Sequence, residues 1–259
     1  MSYETIRVRF QDSFCFLQLH RPQANNTIDE QLIDECTQVV ARCHESTTVL
    51  VIEGLPDVFC LGADFGAIRA AQADDPAAAA LGTRGPEPLF ELWSQLASGP
   101  FVVVARVRGK VNAGGVGFVA ASDIVLADES ATFTLSELLF GLMPACVLPF
   151  LVRRVGFQRA NYLTLMTQPI DAAQACAYGL VDACEPDSQA LLRKHLLRLR
   201  RLDKRAIARY KRYASTLWSP AAQREPALAA NREVFSDRRN LDGIVRYVDH
   251  GLFPWEPAS

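Results

Sequence analysis

The sequence lacks several features that mark common classes of protein. It has no apolar run of the roughly 18 residues that are needed to span a bilayer. Its first residues are charged and alternating, which is not the pattern of a signal peptide. The net charge is only −2, so no overall field favours nucleic acid or an anionic membrane as a partner. We therefore expect a cytoplasmic protein that binds neither membrane nor nucleic acid.

Patterns for metal binding and for disulfide bonds are also missing. The four histidines are scattered and form no cluster with metal-ligand spacing, so we assign no metal. The seven cysteines are odd in number and include no CxxC pair. We interpret them as small buried hydrophobic side chains of a protein in a reducing compartment.

The composition indicates a folded globular protein with a sizeable core. The chain has 259 residues, of which 49% are hydrophobic and 22% are charged. This length suffices for one large α/β domain or two small ones. No repeat is evident by identity, but units of strand, turn and helix around residues 5–43, 48–70 and 101–121 recur in kind.

Strands are predicted mainly in the first half and helices in the last third. Thr5–Phe10 and Phe14–Leu19 flank a short polar turn and predict a hairpin. Leu180–Asp182 predicts a further short strand, and the chain is predicted to be helical from position 187 to about 247. Ala71–Glu87 is rich in Ala, Asp, Pro and Gly, so we expect a mobile surface segment there.

The segment of residues 107–145 carries the clearest functional pattern. A strand with many β-branched residues, Phe101–Val107, leads toward the turn Asn112–Gly115, and a helix is predicted over Val116–Ala121. Glycines let the backbone approach a ligand closely, and the first turn of a helix presents free N–H groups at the positive end of its dipole. This pattern is suited to holding a negatively charged oxygen.

A lone carboxylate, Glu137, follows inside an apolar run. Its neighbours Leu135, Leu138 and Leu139 are all apolar. A carboxylate in such a run either forms a salt bridge or has a raised pKa that suits it to proton transfer. The sequence leaves both interpretations open.

Several of these motifs together resemble the crotonase (enoyl-CoA hydratase) superfamily. The resemblance rests on motifs that occur in that family's order and spacing: Gly62–Asp64, Ala113–Gly115, Ala121–Ile124, Ser136–Pro144 and Ala177–Asp182. It implies an α/β fold in which repeated ββα units form a spiral, followed by a C-terminal helical trimerisation region. We accordingly expect a crotonase core over residues 1–190, a helical region over 191–259, and a homotrimer or dimer of trimers.

A closer resemblance is to the dehydratases of polyketide β-branching cassettes. It is carried by Arg108–Gly115, Leu135–Gly141, Pro144–Phe150 and Leu191–Leu202. It implies dehydration of 3-hydroxy-3-methylglutaryl-acyl carrier protein to the 3-methylglutaconyl thioester. The substrate would be carried on the phosphopantetheine of the carrier protein, or on CoA, and no separate cofactor is expected.

The resemblance also implies roles for three residues. The backbone N–H groups of Ala63 and Gly114 would stabilise the enolate oxygen of the thioester, and Glu137 would act as general acid and base. Without the resemblance, the two turns could be ordinary connections between strand and helix. Glu137 could then be a half-buried partner of a salt bridge.

One position departs from the family pattern. Gly117 stands where enoyl-CoA hydratases have a second catalytic glutamate, and its small size would make room for a branched substrate. Glu137 would then act alone, or Asn112, Asp64 or Cys146 would assist, although a structural role fits each of these three at least as well. Lys110 is either a surface lysine or a partner for the distal carboxylate of the substrate.

Two further features have alternative explanations. Residues 193–212 include ten Lys or Arg and only one acidic residue, Asp203, which is typical of a solvated face or of a docking patch for an acidic carrier protein. The aromatic segment Phe253–Trp255 could pack against its own chain or against a neighbour.

Other functions also remain open at this stage. They are a decarboxylase of the glutaconyl thioester, a general enoyl-CoA hydratase or isomerase, and an inactive crotonase that only binds a carrier protein. Glu137 argues against the decarboxylase, because that reaction needs no base beside the α-carbon. The missing second glutamate weakens the hydratase and motivates the inactive form.

Overall fold

The computed structural model describes residues 3–72 and 84–257. Its strands are β1 (Ile6–Gln11), β2 (Phe14–Leu19), β3 (Val49–Glu53), β4 (Val58–Cys60), β5 (Val102–Val107), β6 (Lys110–Asn112), β7 (Ile124–Ala127), β8 (Thr132–Thr134), β9 (Ile170–Asp171) and β10 (Ala183–Cys184). Its α-helices are α1 (Glu30–Ser46), α2 (Phe65–Gln72), α3 (Glu87–Ser98), α4 (Gly114–Ala121), α5 (Leu148–Met166), α6 (Ala172–Ala177), α7 (Ser188–Leu199), α8 (Lys204–Leu217), α9 (Arg224–Ser236) and α10 (Arg238–His250). Within the described residues, no helix is both long and apolar enough to cross a membrane.

The strands form two sheets, and three successive strand pairs contribute one strand to each sheet. A six-stranded sheet has the order β1-β2-β3-β5-β7-β10, and a four-stranded sheet has the order β4-β6-β8-β9. In each pair β3–β4, β5–β6 and β7–β8, the first strand joins the larger sheet and the second joins the smaller one. The predicted hairpin is confirmed as the antiparallel pair β1–β2, whose register matches Ile6 with Leu19. The predicted α/β spiral of ββα units is therefore confirmed.

The predicted strand Leu180–Asp182 is wrong in position. The strand is β10, which begins directly after Asp182, three residues later than the predicted start, and pairs with β7. The Asp182 carboxylate accepts a hydrogen bond from Val125 N at 2.7 Å, and its own N–H donates to Val125 O at 2.9 Å. Asp182 thus ends the helical turn before it and aligns the strand that follows.

The expected burial of the cysteines is confirmed for five of the seven. Cys15, Cys36, Cys43, Cys60 and Cys146 are buried in the core, whereas Cys176 and Cys184 are half-buried. The two exceptions lie in α6 and β10, where the core is thin. Most of the predicted mobile segment 71–87 lies outside the described residues.

The basic run of residues 193–212 lies on α7 and α8, away from the large cavity described below. Lys204 Nζ donates to Cys43 O at 3.2 Å and to Thr47 O at 2.7 Å, which places it at the C-terminal end of α1. Lys211 is only 5% exposed and forms an ion pair with Asp123 at 2.7 Å. The run is therefore not uniformly a solvated face, because these two cations point inward.

Candidate active site

A cavity of about 1340 Å³ opens between the two ends of the chain. Its walls come from the N-terminal end of α1, from α2, from the carboxyl ends of strands in the small sheet, and from the C-terminal helix α10. Its polar lining residues include Asp64, Lys110, Asn112, Ser136 and Glu137, and Trp93 also lines it. Among the described residues, no group of three or more His, Cys, Asp or Glu could hold a metal ion.

Three adjacent strands of the small sheet bring the predicted residues together. The strands β4, β6 and β8 are parallel neighbours, so their carboxyl ends meet at one edge. Ala63 follows β4, Gly114 follows β6 and Glu137 follows β8. Residues far apart in sequence therefore converge at a single edge, which is where parallel sheets commonly bind their ligands.

The two glycine turns pack directly against each other. Gly62 has φ of +83°, and a Cβ atom added there would lie 2.9 Å from Gly114 N. Ala113 has φ of +50° and ψ of −122°, a backbone conformation that residues with a side chain rarely adopt. Such backbone strain is typical of functional turns.

The N–H groups of Ala63 and Gly114 are available to a ligand. Ile28 N donates to Gly62 O at 2.7 Å, and Ala113 N donates to Thr134 O at 3.0 Å, so the residues before Ala63 and Gly114 anchor both turns. Within the described part of the chain, neither Ala63 N nor Gly114 N donates to a backbone oxygen. Gly114 is the first residue of α4, so the helix itself provides no acceptor for its N–H. The arrangement fits a pair of donors for one oxyanion.

Substitution of Gly62 by alanine tests this geometry. The new Cβ would lie 2.8 Å from Ala113 Cβ and 2.9 Å from Gly114 N, in a backbone conformation with positive φ. We expect the second donor to move and kcat to fall by about 10²-fold, as when one oxyanion donor is lost. Steady-state kinetics would show this, with Gly66→Ala as the control, since a Cβ there would come no closer than 3.3 Å to a neighbouring atom, Asp64 Oδ1. Unchanged kcat in Gly62→Ala would contradict the assignment.

Glu137 begins a 3-10 helix, Glu137–Phe140, immediately after Ser136. The residue is half-buried, but its Oε2 atom is buried and has no hydrogen-bond partner among the described residues. Desolvation raises the pKa of Glu137 from 4.5 to about 7, although a hydrogen bond from its own backbone N–H opposes the rise. Of the two interpretations from sequence, the salt bridge is thus wrong. The raised pKa suits a group that both takes and returns a proton.

The space beside Gly117 is filled, so the expectation of room for a branched substrate there is wrong. A Cβ atom on Gly117 would lie 2.4 to 2.6 Å from the Trp93 ring. Trp93 is 1% exposed and is held edge-on between Phe118 and Phe150. The indole thus occupies the volume into which a side chain at position 117 would project. The role of Trp93 was not predicted, because nothing in the sequence of α3 indicates that this side chain reaches Gly117.

Asp64 and Cys146 have structural roles. Asp64 Oδ1 accepts from Ala67 N at 3.0 Å, which caps α2, and its Oδ2 accepts from Thr27 Oγ1 at 3.0 Å. The Cys146 thiol is buried, burial raises its pKa to about 12, and its Sγ lies 3.9 Å from Ala227 O. It contributes to the cavity wall but stays protonated at neutral pH.

Asn112 and Lys110 lie on the same face of β6, two residues apart. They are opposite Thr134 and Thr132 of β8. Asn112 Nδ2 donates to Ser136 Oγ at 2.9 Å, whereas Asn112 Oδ1 is buried and has no partner among the described residues. Lys110 is exposed at the cavity wall and forms no ion pair within the described ranges.

An aromatic cluster closes the apolar side of the cavity. The Phe140 ring packs edge-on against Phe65 at 5.2 Å and Tyr247 at 5.2 Å, and it also contacts Phe253. Phe253 in turn stacks on Trp255 with ring centres 4.7 Å apart. Of the two alternatives for the C-terminal aromatic segment, packing against its own chain is therefore correct. No local pattern could have predicted this cluster, because its members come from three distant segments.

Comparisons with known proteins agree with this fold and site. The family model described as enoyl-CoA hydratase/isomerase matches residues 9–258. The chain belongs to this family. It is therefore an enzyme of the hydro-lyase kind, as the resemblance implied.

Individual relatives refine the comparison. The bacillaene synthase dehydratase PksH of Bacillus subtilis is 55% identical over 99% of this chain and 98% of its own length. A crystal structure of a polyketide biosynthesis enoyl-CoA hydratase from Bacillus subtilis has a TM-score of 0.93 and 54% identity, covering 98% of this chain and all of that one. A 2,3-dehydroadipyl-CoA hydratase of Escherichia coli is 31% identical over 70% of this chain and 69% of its own length.

Proposed function

We propose that this enzyme is a dehydratase of a polyketide pathway that converts 3-hydroxy-3-methylglutaryl-acyl carrier protein to the 3-methylglutaconyl thioester. The observation that carries the proposal is the meeting of two free N–H groups and one carboxylate of raised pKa at one sheet edge. The 55% identity to a dehydratase of polyketide synthesis supports the pathway.

The reaction follows from these three groups. The Glu137 carboxylate removes a proton from the α-carbon, and the negative charge that develops on the thioester oxygen is stabilised by the N–H groups of Ala63 and Gly114. The electron pair then forms the double bond as the bond from the β-carbon to the hydroxyl oxygen breaks. Protonated Glu137 returns its proton to the departing hydroxyl, so that water leaves and the carboxylate is restored.

Lys110 is our candidate for binding the distal carboxylate of the substrate. The cations among the described lining residues are Arg84 and Lys110. Arg84 is already paired with Asp34 at 2.8 Å. Lys110 lies on the same face of β6 as Asn112 and near the reacting edge, so its ammonium group can reach a substrate that extends along the strand.

Intact-protein mass spectrometry of the loaded carrier protein tests the proposal. Incubation with the enzyme should remove one water from the carrier-bound acyl group. Direct loss of carbon dioxide from the glutaconyl thioester would indicate a decarboxylase instead. No water loss from a verified substrate would defeat the proposal, and activity on crotonyl-CoA would then indicate a general hydratase.

The pH dependence of kcat/KM provides a further prediction. The free enzyme must have Glu137 ionised to accept the α-proton, and its pKa is raised to about 7. We therefore expect kcat/KM to rise with pH and to level off above about pH 7. Rates with a pantetheine thioester in place of the carrier protein would avoid titration of the partner. A flat profile from about pH 5.5 to 8.5 would contradict this role for Glu137.

We propose that the carrier protein delivers its substrate from the side of α1 where this helix begins. The cavity is lined by Asp29, Glu30 and Gln31 at that end, whereas Lys204 contacts the other end, about 25 Å away along the 17-residue helix. No residue of α7 or α8, both fully described, lines the cavity. The docking interpretation of the basic run is therefore unfavourable, and we place carrier-protein binding near the start of α1.

The proposed assembly is the homotrimer or dimer of trimers of the crotonase superfamily. Large apolar side chains are exposed on two helices, including Phe157 and Leu165 of α5 and Tyr213 and Leu217 of α8, each more than 60% exposed. Such faces are commonly covered by another subunit. Light scattering after size-exclusion chromatography would give the number of subunits.

A further inference from the structure

Asn112 has an unusual environment for an amide at the wall of a cavity. Its Nδ2 donates to Ser136 Oγ at 2.9 Å, so the serine fixes the amide plane. Its Oδ1 is buried and has no hydrogen-bond partner among the described residues. Buried polar atoms are nearly always paired, and an unpaired acceptor in a cavity wall indicates a ligand that donates to it.

The Asn112 amide links the two segments that carry the proposed catalytic groups. Asn112 precedes Gly114 by two residues on β6, and Ser136 precedes Glu137 by one residue after β8. The Asn112–Ser136 hydrogen bond thus joins the strand that carries an oxyanion donor to the segment that carries the acid and base.

Position 117 and the other assisting residues considered from the sequence offer no partner for a substrate hydroxyl. Position 117 has no side chain, and the indole of Trp93 fills the space beside it. Asp64 is fully engaged in capping α2 and in contacts with Thr27. Of the assisting residues considered from the sequence, Asn112 is the one that retains a free polar atom, because the buried Cys146 thiol is neutral at pH 7.

We propose that Asn112 Oδ1 accepts a hydrogen bond from the 3-hydroxyl of the substrate and that Ser136 holds the amide in the orientation this requires. The inference rests on the dehydration proposed above. With its hydrogen directed to Asn112, the hydroxyl oxygen presents a lone pair to protonated Glu137, which delivers the proton as the bond to carbon breaks. Asn112 remains neutral throughout. The product has no 3-hydroxyl, so this hydrogen bond is lost when water leaves.

Binding to two matched ligands tests the inference without turnover. The ligands are the pantetheine thioesters of 3-hydroxy-3-methylglutarate and of 3-methylglutarate, which lacks the hydroxyl. In the Glu137→Gln background, we expect the hydroxylated ligand to bind roughly tenfold more tightly, and Asn112→Leu to abolish this preference. Affinity for the ligand without the hydroxyl should not change.

Two further variants provide a second test of the hydrogen bond and a control. Ser136→Ala should reduce the preference by about threefold by freeing the amide, and it carries the test if Asn112→Leu does not fold. Thr132→Val, at the cavity wall opposite Lys110, is a nearly isosteric control that should leave the preference intact. The inference is overturned if Asn112→Leu keeps the preference or weakens both ligands equally.

The failure of this inference and the failure of the proposed reaction can be told apart. If the wild-type enzyme removes no water from the loaded carrier protein, the proposed function fails whatever the binding data show. If it removes water and the preference survives in Asn112→Leu, only the role of Asn112 fails.

Discussion

Replacement of Glu137 by glutamine is expected to lower the rate of water loss by about 10²- to 10⁴-fold, the usual contribution of a general acid and base. Glutamine has nearly the same shape, so the cavity is preserved while the ability to take and return a proton is removed. The measurement is the time course of carrier-bound substrate and product by intact-protein mass spectrometry. An unchanged rate would move the proton transfer to another group.

The same variant should not be less stable than the wild type, which separates loss of chemistry from loss of folding. Burial raises the pKa of Glu137 from 4.5 to about 7 in the folded protein. Stability associated with a raised pKa is present below about pH 4.5 and is lost as the pH rises through about 7, because the folded state then holds a desolvated charge. At pH 8 the variant should therefore melt at or above the temperature of the wild type. A markedly lower melting temperature would mean that the loss of activity reflects misfolding.

Introduction of the family's second glutamate, as Gly117→Glu, is expected to destabilise the protein by about 3 kcal/mol or more and not to create a hydratase. The new Cβ alone would lie 2.4 Å from the Trp93 ring, which Phe118 and Phe150 hold in place. A carboxylate in that position would also lose its hydration. Chemical denaturation would give the change in the free energy of unfolding.

The matched control for this prediction is the double variant Trp93→Ala with Gly117→Glu. If Trp93 is the obstacle, removing its ring should recover part of the stability that Gly117→Glu loses, although the deleted indole leaves its own cavity cost. A Gly117→Glu variant with wild-type stability and activity on crotonyl-CoA would show that the position is open after all.

Local patterns in the sequence were sufficient for the elements that position the oxyanion donors. The β-branched strand before Gly109, the glycine turn at Gly114 and the Gly62–Asp64 turn are encoded by neighbouring residues, so they could be predicted together with the hairpin. The small sheet was missed, because β4, β6 and β8 have only three residues each, which is too short for a periodic pattern to be recognised. Yet this sheet brings Ala63, Gly114 and Glu137 to one edge.

Long-range packing explains the remaining differences. In the sequence, Lys204 and Lys211 belong to a basic run that is typical of a solvated face. Only the structure shows that Lys204 Nζ donates to the Thr47 carbonyl and that Lys211 pairs with the Asp123 carboxylate. The aromatic cluster around Phe140 joins residues near positions 65, 140 and 250. The periodicity of one sequence gives no information about contacts between residues that are so far apart in the chain.

The sequence by itself determined the family, and it marked Ala63, Gly114 and Glu137 as candidate site residues, because each lies in a short motif whose chemistry is local. The tertiary structure alone decided three other matters. It placed Trp93 in the space beside Gly117, it left Asn112 Oδ1 without a hydrogen-bond partner from the described residues, and it raised the pKa of Glu137 by desolvation. The physical reason is that burial and the filling of space are properties of contacts between distant segments, which no local motif specifies.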